Sequence, residues 1–409
     1  MNSAANHRPF VAIACGGTGG HLFPGIAVAE QLRQRGCDVA LLISPKDVDQ
    51  QAIKALKAET PASASPLAAP FEIFTLPAIG LQNRNYFSFA GSFLKSLFAS
   101  RRIFRQRKPH AVLAMGGFTS APPIFVGKEM GAKTFLHESN TIPGKANRYL
   151  ARFVDEAFVG FPETASRLAA KKATATGTPV RPQFSLSQRP PRAARTALGL
   201  EGDRPTVLVV GGSQGASGLN AMVLSALPLL AQKNWQWLHL TGAKDFEKVR
   251  SAYGTLGIRG IVKPFLAEMD LALGAATAAV SRAGASSLAE IAAMRLPTLL
   301  VPFPSAAGNH QFFNARIYFM SGAARLLEQK ESTPEKVAAI LTELVEDQAV
   351  RAKMDAALEL WHAPQSAEQI AANILRHLTA RASRLGTPMS PANPPTRRPD
   401  ACAPSHDHA

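Results

Sequence analysis

The chain has 409 residues, 46% of them apolar, so two domains are expected rather than one ordinary core. Its formal net charge of +16 calls for a polyanionic partner, and an anionic membrane surface or a phosphorylated substrate ranks ahead of nucleic acid, since no RNA-binding or helix-turn-helix signature is present. Three scattered cysteines, Cys15, Cys37 and Cys402, give no disulfide frame or zinc spacing and fit a reducing cytoplasm; the opening residues do not read as a signal peptide, and no apolar run is long enough to span a membrane.

Short apolar runs alternate with helix-length amphipathic ones, the pattern of right-handed βαβ units on a parallel sheet. The first series of strands is expected at Phe10–Cys15, Val39–Ile43, Phe71–Leu76, Ala111–Ala114, Lys133–Leu136 and Ala157–Val159. A polar stretch with a proline pair, Gln183–Arg204, reads as a linker leading into a short helix. A second series follows at Thr206–Val210, Trp235–Leu240, Gly260–Lys263, Ala278–Ser281 and Thr298–Val301. Strands that are apolar throughout, such as "TVLVV", fit a sheet covered on both faces. The fold class is α/β, with two Rossmann-like domains facing across a cleft: residues 1–182, a linker over 183–204, and 205–380, whose last helices pack back on the first domain. Residues 381–409 are expected to be a disordered tail, and the "HDH" within it a solvated stretch.

Both halves open with strand, glycine turn and helix: "GGTGG" (Gly16–Gly20) and "GGSQGA" (Gly211–Ala216). The first fits neither a dinucleotide loop, since Leu22 occupies the last glycine place, nor a P-loop, which needs a lysine. Such turns gather free backbone N–H groups at the positive end of a helix and attract phosphate. The alternative, glycines that only let strand and helix pack closely, is weaker for two turns than for one. A third stretch, "SRAGASSLAEIAAMRLPTLLVPFP" (Ser281–Pro304), places Ser286 and Ser287 where hydroxyls meet phosphate. Glu290 there can accept from the vicinal hydroxyls of a ribose, or can simply favour a helix N-terminus.

These stretches, with "HESNTIPGKAN" (His137–Asn147), "GTPVR" (Gly177–Arg181) and "NHQFFNA" (Asn309–Ala315), stand in one order and spacing. Over about residues 10–375 the chain resembles the MurG family of bacterial N-acetylglucosaminyltransferases. The resemblance implies the GT-B fold, no cofactor, and a peripheral place on the cytoplasmic face of the plasma membrane. It implies transfer of N-acetylglucosamine from UDP-N-acetylglucosamine, with inversion, to the C4 hydroxyl of undecaprenyl-pyrophosphoryl-N-acetylmuramyl-pentapeptide (lipid I), giving lipid II. Carried over by motif, Thr18, Gly19 and Gly20 line the cleft with His21 beside them. Asn140 contacts the donor sugar, Arg181 and Ser213 the diphosphate, with Gln214 in the same turn. Leu266 offers backbone to uracil, Ala285, Ser286, Ser287, Leu288, Ala289 and Glu290 hold uridine and phosphate, and Gln311 reaches the sugar hydroxyls. His310 and Ser139 depart from the family pattern, which has Gln-Gln and "HEQN" there. Other cell-wall synthesis proteins are candidate partners. Three other readings share parts of the pattern: a UDP-N-acetylglucosamine 2-epimerase, a glycolipid synthase and a non-catalytic UDP-sugar-binding scaffold.

The base that takes the acceptor proton is left between His21, whose unperturbed pKa suits the task, and Glu138; each has a structural alternative. A divalent metal on "DVD" (Asp47–Asp49) is rejected, because "PKDVDQQAIKALK" reads as the polar start of a surface helix. In Ala78–Lys108, Phe89, Phe93, Leu97 and Phe98 follow helical spacing and precede Arg101, Arg102, Arg105, Arg107 and Lys108. An apolar, aromatic face beside cations suits a membrane interface. The helix itself is read as a core helix with a basic end, and the turn before it (Ile79, Leu81, Tyr86, Phe87) as the part that enters lipid.

Overall fold

The computed structural model describes residues 8–46, 49–50, 53–54, 71–78, 86–184, 190–212 and 215–385. Each half folds around its own parallel sheet. The first contains β1 (Phe10–Ala14), β2 (Asp38–Ile43), β3 (Glu72–Thr75), β4 (Ala111–Ala114), β5 (Lys133–Glu138), β6 (Glu156–Val159) and β7 (Ala173–Ala175), in the order β3-β2-β1-β4-β5-β6-β7. The second contains β8 (Thr206–Val210), β9 (Gln236–Leu240), β10 (Gly260–Lys263), β11 (Ala278–Ser281), β12 (Thr298–Leu300) and β13 (Arg325–Leu326), in the order β10-β9-β8-β11-β12-β13. Strand order reverses beside β1 and β8, where neighbouring crossovers leave on opposite faces and open a crevice beyond the strand ends. The two glycine turns follow these two strands.

Both faces of the first sheet are buried. Val11, Ile13, Leu41 and Leu113 point into one apolar cluster, and Ala12, Ala14, Leu42 and Val112 into the other, as the period of two requires. Helix α1 (Gly19–Gln34) covers the first face with Leu22, Ile26 and Leu32. Helix α2 (Tyr86–Gln106) puts Phe104 into the other. The second half has one core, around Leu208, Trp237, Val280 and Leu299.

Helices α3 (Ala121–Glu129) and α4 (Lys145–Leu150) complete the first half. Then come α5 (Pro191–Ala197), α6 (Ser217–Leu230), α7 (Phe246–Thr255), α8 (Met269–Ala275) and α9 (Ala285–Ala293). The chain ends with α10 (His310–Met320), α11 (Pro334–Glu346), α12 (Gln348–Glu359) and α13 (Ser366–Leu385). Helix α5, read as the end of a linker, belongs to the second half: Arg195 donates to the Ala275 carbonyl at 2.8 Å and to Thr277 Oγ1 at 3.0 Å. Helix α13 returns to the first half, where Ile370, Ile374 and Leu378 join the α1 cluster and His377 meets the buried Glu156 carboxylate at 2.9 Å. It continues to Leu385, past the expected start of the tail; Cys402 and the rest of the tail lie outside the described residues.

Helix α2 packs one face into the core and ends in exposed arginines, as read, but several of its large apolar residues face outward. Phe87 is 93% exposed, Phe98 71% and Leu94 54%, and they continue into exposed Arg102 and Arg105 along one stripe. Buried Ser92, Ser96 and Ser100 form the inward face, and α2 packs on α3. Periodicity gave the helix, but its core side is formed by the serines and Phe104, with Leu97 and Ile103 packed against the core, while Phe87, Leu94 and Phe98 face outward. Ile79 and Leu81 lie outside the described residues, as does the side chain of Tyr86.

Candidate active site

The first turn is shaped by contacts that exclude side chains. A Cβ on Gly16 would lie 2.2 Å from the Ser44 nitrogen, and Gly17 has a φ of +117°, which favours glycine. Thr18 then caps α1 in extended conformation and its Oγ1 lies 3.1 Å from His21 Nδ1. A further glycine turn, missed in the sequence, follows β4: Gly116 and Gly117 have φ of +109° and +77°. They leave room for the His21 ring, whose Nε2 would sit 2.9 Å from a Cβ on Gly116. Thr119 beyond them donates to the Gly16 carbonyl at 2.8 Å, tying the turns together. Thr18 and Gly20 are exposed, and Gly19 and His21 half-buried. Burial pushes the His21 imidazole down to about 4, against the pull of the Asp49 carboxylate. The ring is therefore neutral at pH 7, with a lower basicity than its unperturbed value suggested.

Glu138 ends β5 inside the protein, 3% exposed. Its Oε1 accepts from Asn140 N at 2.9 Å and Asn140 Nδ2 at 3.0 Å. Its Oε2 accepts from Gly144 N at 2.9 Å and Asn147 Nδ2 at 3.0 Å. Both oxygens are committed to folding the "HESNTIPGKAN" loop, which fits the structural alternative left open for this residue. Asn140 reaches across to the second half, where Asn314 of α10 donates to its Oδ1 at 3.0 Å. Ser139 turns inward, its Oγ 3.2 Å from His137 Nδ1.

The other wall of the crevice is assembled from both halves. Helix α9 starts after Gly284, with Ser286, Ser287 and Ala289 half-exposed at its opening. The side chains of Ala285 and Leu288 point into the core, as does that of Leu266, which leaves only their backbone for a ligand to meet. Burial raises the Glu290 carboxyl to about 7, against the pull of the Arg181 charge. The Arg181 guanidinium lies over Phe23 of α1 at 4.3 Å and near Phe184 at 5.3 Å, with a buried Nε that has no partner. Gln311 Oε1 accepts from Phe303 N at 2.9 Å and Ala283 N at 3.3 Å, linking the loops after β11 and β12. Neighbouring His310 bonds the Ala307 carbonyl at 2.9 Å. Arg282, which the sequence reading passed over, holds the carbonyls of Val301 and Pro302 at 3.0 Å each and Gln329 at 2.8 Å. Ser213 and Gln214 lie outside the described residues.

Among the described residues no cluster of three or more His, Cys, Asp or Glu side chains is placed to hold a metal ion. Asp49 corrects the reading of "DVD" as a surface element: it is wholly buried behind Gly17. Asp47 lies outside the described residues.

Beside this crevice stand matches to known proteins. The glycosyltransferase family 28 N-terminal domain matches residues 11–159 and the family 28 C-terminal domain residues 206–373. A protein of Anaeromyxobacter sp. (strain Fw109-5) is 36% identical over 95% of this chain and 98% of its own length. One from Syntrophus aciditrophicus (strain SB) is 36% identical over 80% of this chain and 87% of its own. Both bear the name UDP-N-acetylglucosamine–N-acetylmuramyl-(pentapeptide) pyrophosphoryl-undecaprenol N-acetylglucosamine transferase. The crystal structure of Acinetobacter baumannii MurG superposes with a TM-score of 0.68 at 26% identity, covering 90% of this chain and all of that one. A Medicago truncatula structure with UDP-glucose, 14% identical with a TM-score of 0.62 over 90% of this chain and 99% of that one, shares the fold. The two sheets, each opened by a glycine turn at its switch point, are thus those of the GT-B architecture, and the chain belongs to the MurG family of glycosyltransferase family 28.

Proposed function

We infer that the chain transfers N-acetylglucosamine from UDP-N-acetylglucosamine to lipid I, giving lipid II. The observation that carries this is identity of 36% to the named transferases over 95% of the chain, with a buried, partnerless Arg181 Nε and the opening of α9 both available to a diphosphate. In the reaction the C4 hydroxyl of the acceptor attacks the anomeric carbon from the face opposite UDP. The bond to the diphosphate oxygen breaks, and UDP leaves with the electron pair. The growing negative charge meets the N-terminal end of α9 and the Arg181 guanidinium, both fixed in place before reaction. His21, neutral at pH 7 and beside the first turn, is the group that receives the hydroxyl proton, whereas Glu138 holds its loop. Transfer of radiolabelled N-acetylglucosamine to a short-chain lipid I analogue tests the reading. Formation of UDP-N-acetylmannosamine without acceptor would establish the epimerase, labelling of diacylglycerol the glycolipid synthase, and UDP binding without any transfer the scaffold.

Helix dipole and arginine serve the diphosphate, so transfer is expected to persist in EDTA at its full rate. Loss of activity with chelator, restored by magnesium or manganese, would refute this.

We place the enzyme on the cytoplasmic membrane face through the outer stripe of α2. Phe87, Leu94 and Phe98 supply apolar surface, and Arg102 and Arg105 the cationic end of an open hollow of about 320 Å³ that Phe98 and Arg101 also line. Arg101 pairs with Glu129, and Arg107 with Asp38 and Glu72, so these two contribute less charge. Each basic residue near an anionic leaflet is worth about 1 kcal/mol. Binding to anionic vesicles is expected to weaken but persist as salt rises, because the Debye length falls from about 10 Å at 0.1 M to about 3 Å at 1 M while the apolar contact remains. Changing Arg102 and Arg105 to Ser should remove most of the salt-sensitive share and leave UDP affinity unaltered. Flotation and UDP titration on one preparation check both, and undiminished flotation would move the membrane contact elsewhere.

A further inference from the structure

The "DVD" stretch has no part in the chemistry described so far, yet one of its carboxylates lies directly behind the first glycine turn. Asp49 is 0% exposed. Its Oδ2 accepts from Gly17 N at 2.7 Å, Ser44 N at 3.1 Å and Ser44 Oγ at 2.6 Å. Lys46, from the same loop after β2, donates to the Gly17 carbonyl at 3.2 Å and lies over the Phe118 ring at 5.0 Å. That ring in turn packs against Gly17, 3.1 Å from where a Cβ would be. Both backbone polar groups of Gly17 are thus held by side chains of the loop after β2. The residue is in a left-handed conformation at φ +117°, which leaves the chain few alternatives once both groups are bound.

We propose that Asp49 is a positioning residue for transfer: from behind, it fixes Gly17 so that Thr18, Gly19, Gly20 and His21 enter the crevice in one conformation. The Gly17 N–H is consumed in this clamp. What the turn can offer a ligand is therefore the opening N–H groups of α1, which a helix leaves without intrahelical partners, and the Thr18–His21 pair. A glycine turn without the clamp would sample several conformations, and each transfer would wait for the right one. The proposal rests on the transferase reading for its activity measurement and is independent of it for its exchange measurement.

The partnerless Oδ1 of Asp49 makes the test sharp. An asparagine can place its oxygen where Oδ2 accepts and its amide nitrogen where Oδ1 has no partner, so the clamp survives. Alanine and serine are too short to reach Gly17 N. Four proteins are compared: wild type, Asp49→Asn, Asp49→Ala and Asp49→Ser, the last keeping a small polar group in case the alanine variant does not fold. Three quantities are read: steady-state transfer to a soluble lipid I analogue, UDP affinity by calorimetry, and hydrogen exchange over the peptide spanning Cys15–Leu22. The truncations are expected to lower acceptor kcat/KM about ten- to a hundredfold, the cost of unpairing a buried donor. Exchange over the turn should rise at least about tenfold as the clamp opens. UDP affinity should stay within about twofold, and Asp49→Asn should restore the acceptor rate to within about threefold. Truncated variants with wild-type kinetics and wild-type turn exchange overturn the proposal. So does a loss of acceptor rate and UDP affinity in equal proportion, which marks general destabilisation. A wild-type protein that transfers nothing refutes the transferase reading instead, and the exchange measurement still decides on Asp49.

Discussion

Glu290→Ala is expected to raise the dissociation constant for UDP-N-acetylglucosamine about 10- to 150-fold while the protein stays folded. The side chain is half-buried in α9, where the proposed function sets it against the ribose hydroxyls. Hydrogen bonds to a charged group contribute about 1.5–3 kcal/mol, and every 1.4 kcal/mol is tenfold. The same residue predicts a pH dependence. In the free protein burial pushes its carboxyl up to about 7. A ligand that donates to the carboxylate prefers the ionised form and pulls that pKa down on binding. Donor affinity should therefore be full above pH 7 and decline as the pH falls through the free-protein value. The diphosphate of UDP-N-acetylglucosamine is esterified at both ends and has no titration of its own in this window. Calorimetric titrations between pH 6 and 8 read the slope, and Glu290→Gln should flatten it. An unchanged constant for Glu290→Ala, or the same slope in Glu290→Gln, would remove the residue from the ribose.

What the sequence disclosed follows from the range over which its signals act. Apolar runs of four or more residues bounded by glycine or polar residues are local, and the strands that form the middle of both sheets have this signature. Strands β7 and β13 have three and two residues and lie at sheet edges, too short to show any alternation. The turns at Gly16 and Gly211 were legible because each follows a strand and opens a helix. The Gly116–Gly117 turn carries the same punctuation in "AMGGFTSAPP" and was overlooked, although it shapes the space around His21. Asp49 was misplaced because its neighbours, Lys46 and Gln50, are polar, and polarity reads as surface. Its true partner, Gly17, stands 32 residues earlier. Periodicity in α2 marked a helix but not its orientation, because two faces were plausible core faces: one with Phe87, Leu94 and Phe98, and one with the serines and Phe104. Only the packing on α3 separates them. For Glu138 the sequence left two roles, and the choice depends on Asn147, nine residues on, folding back to it.

Asn314 stands inside the "NHQFFNA" stretch, but its role was not legible there, and its substitution is expected to have the largest effect on turnover. It is wholly buried in α10. Its Oδ1 accepts from Thr141 N and Thr141 Oγ1, both at 3.0 Å, and its Nδ2 donates to Asn140 Oδ1 at 3.0 Å and to the Ala283 carbonyl at 3.1 Å. One amide thereby joins the loop after β5 in the first half to the loop after β11 in the second. The orientation of the chain is set from one end. Glu138 Oε1 takes Asn140 Nδ2, so Asn140 must present oxygen to Asn314, and Asn314 must present its nitrogen. Asn314→Ala leaves buried groups unpaired on both sides of the crevice and should cost about 2–4 kcal/mol of stability. Transfer should fall about a hundredfold, because the Asn140 side and the α9 side lose their common reference and misplacement of this kind costs about that much. Asn314→Asp is the sharper variant. It preserves size and the acceptor for Thr141, but turns an oxygen toward Asn140 Oδ1 and the Ala283 carbonyl. Flipping Asn140 offers no relief, since its oxygen would then face the Glu138 carboxylate. The aspartate variant should therefore turn over no faster than the alanine variant, with UDP affinity less affected than rate in both. Initial rates, UDP titrations and melting temperatures on the two proteins decide the matter: an aspartate variant with wild-type turnover would mean that the two donor bonds of Asn314 contribute nothing to aligning the halves.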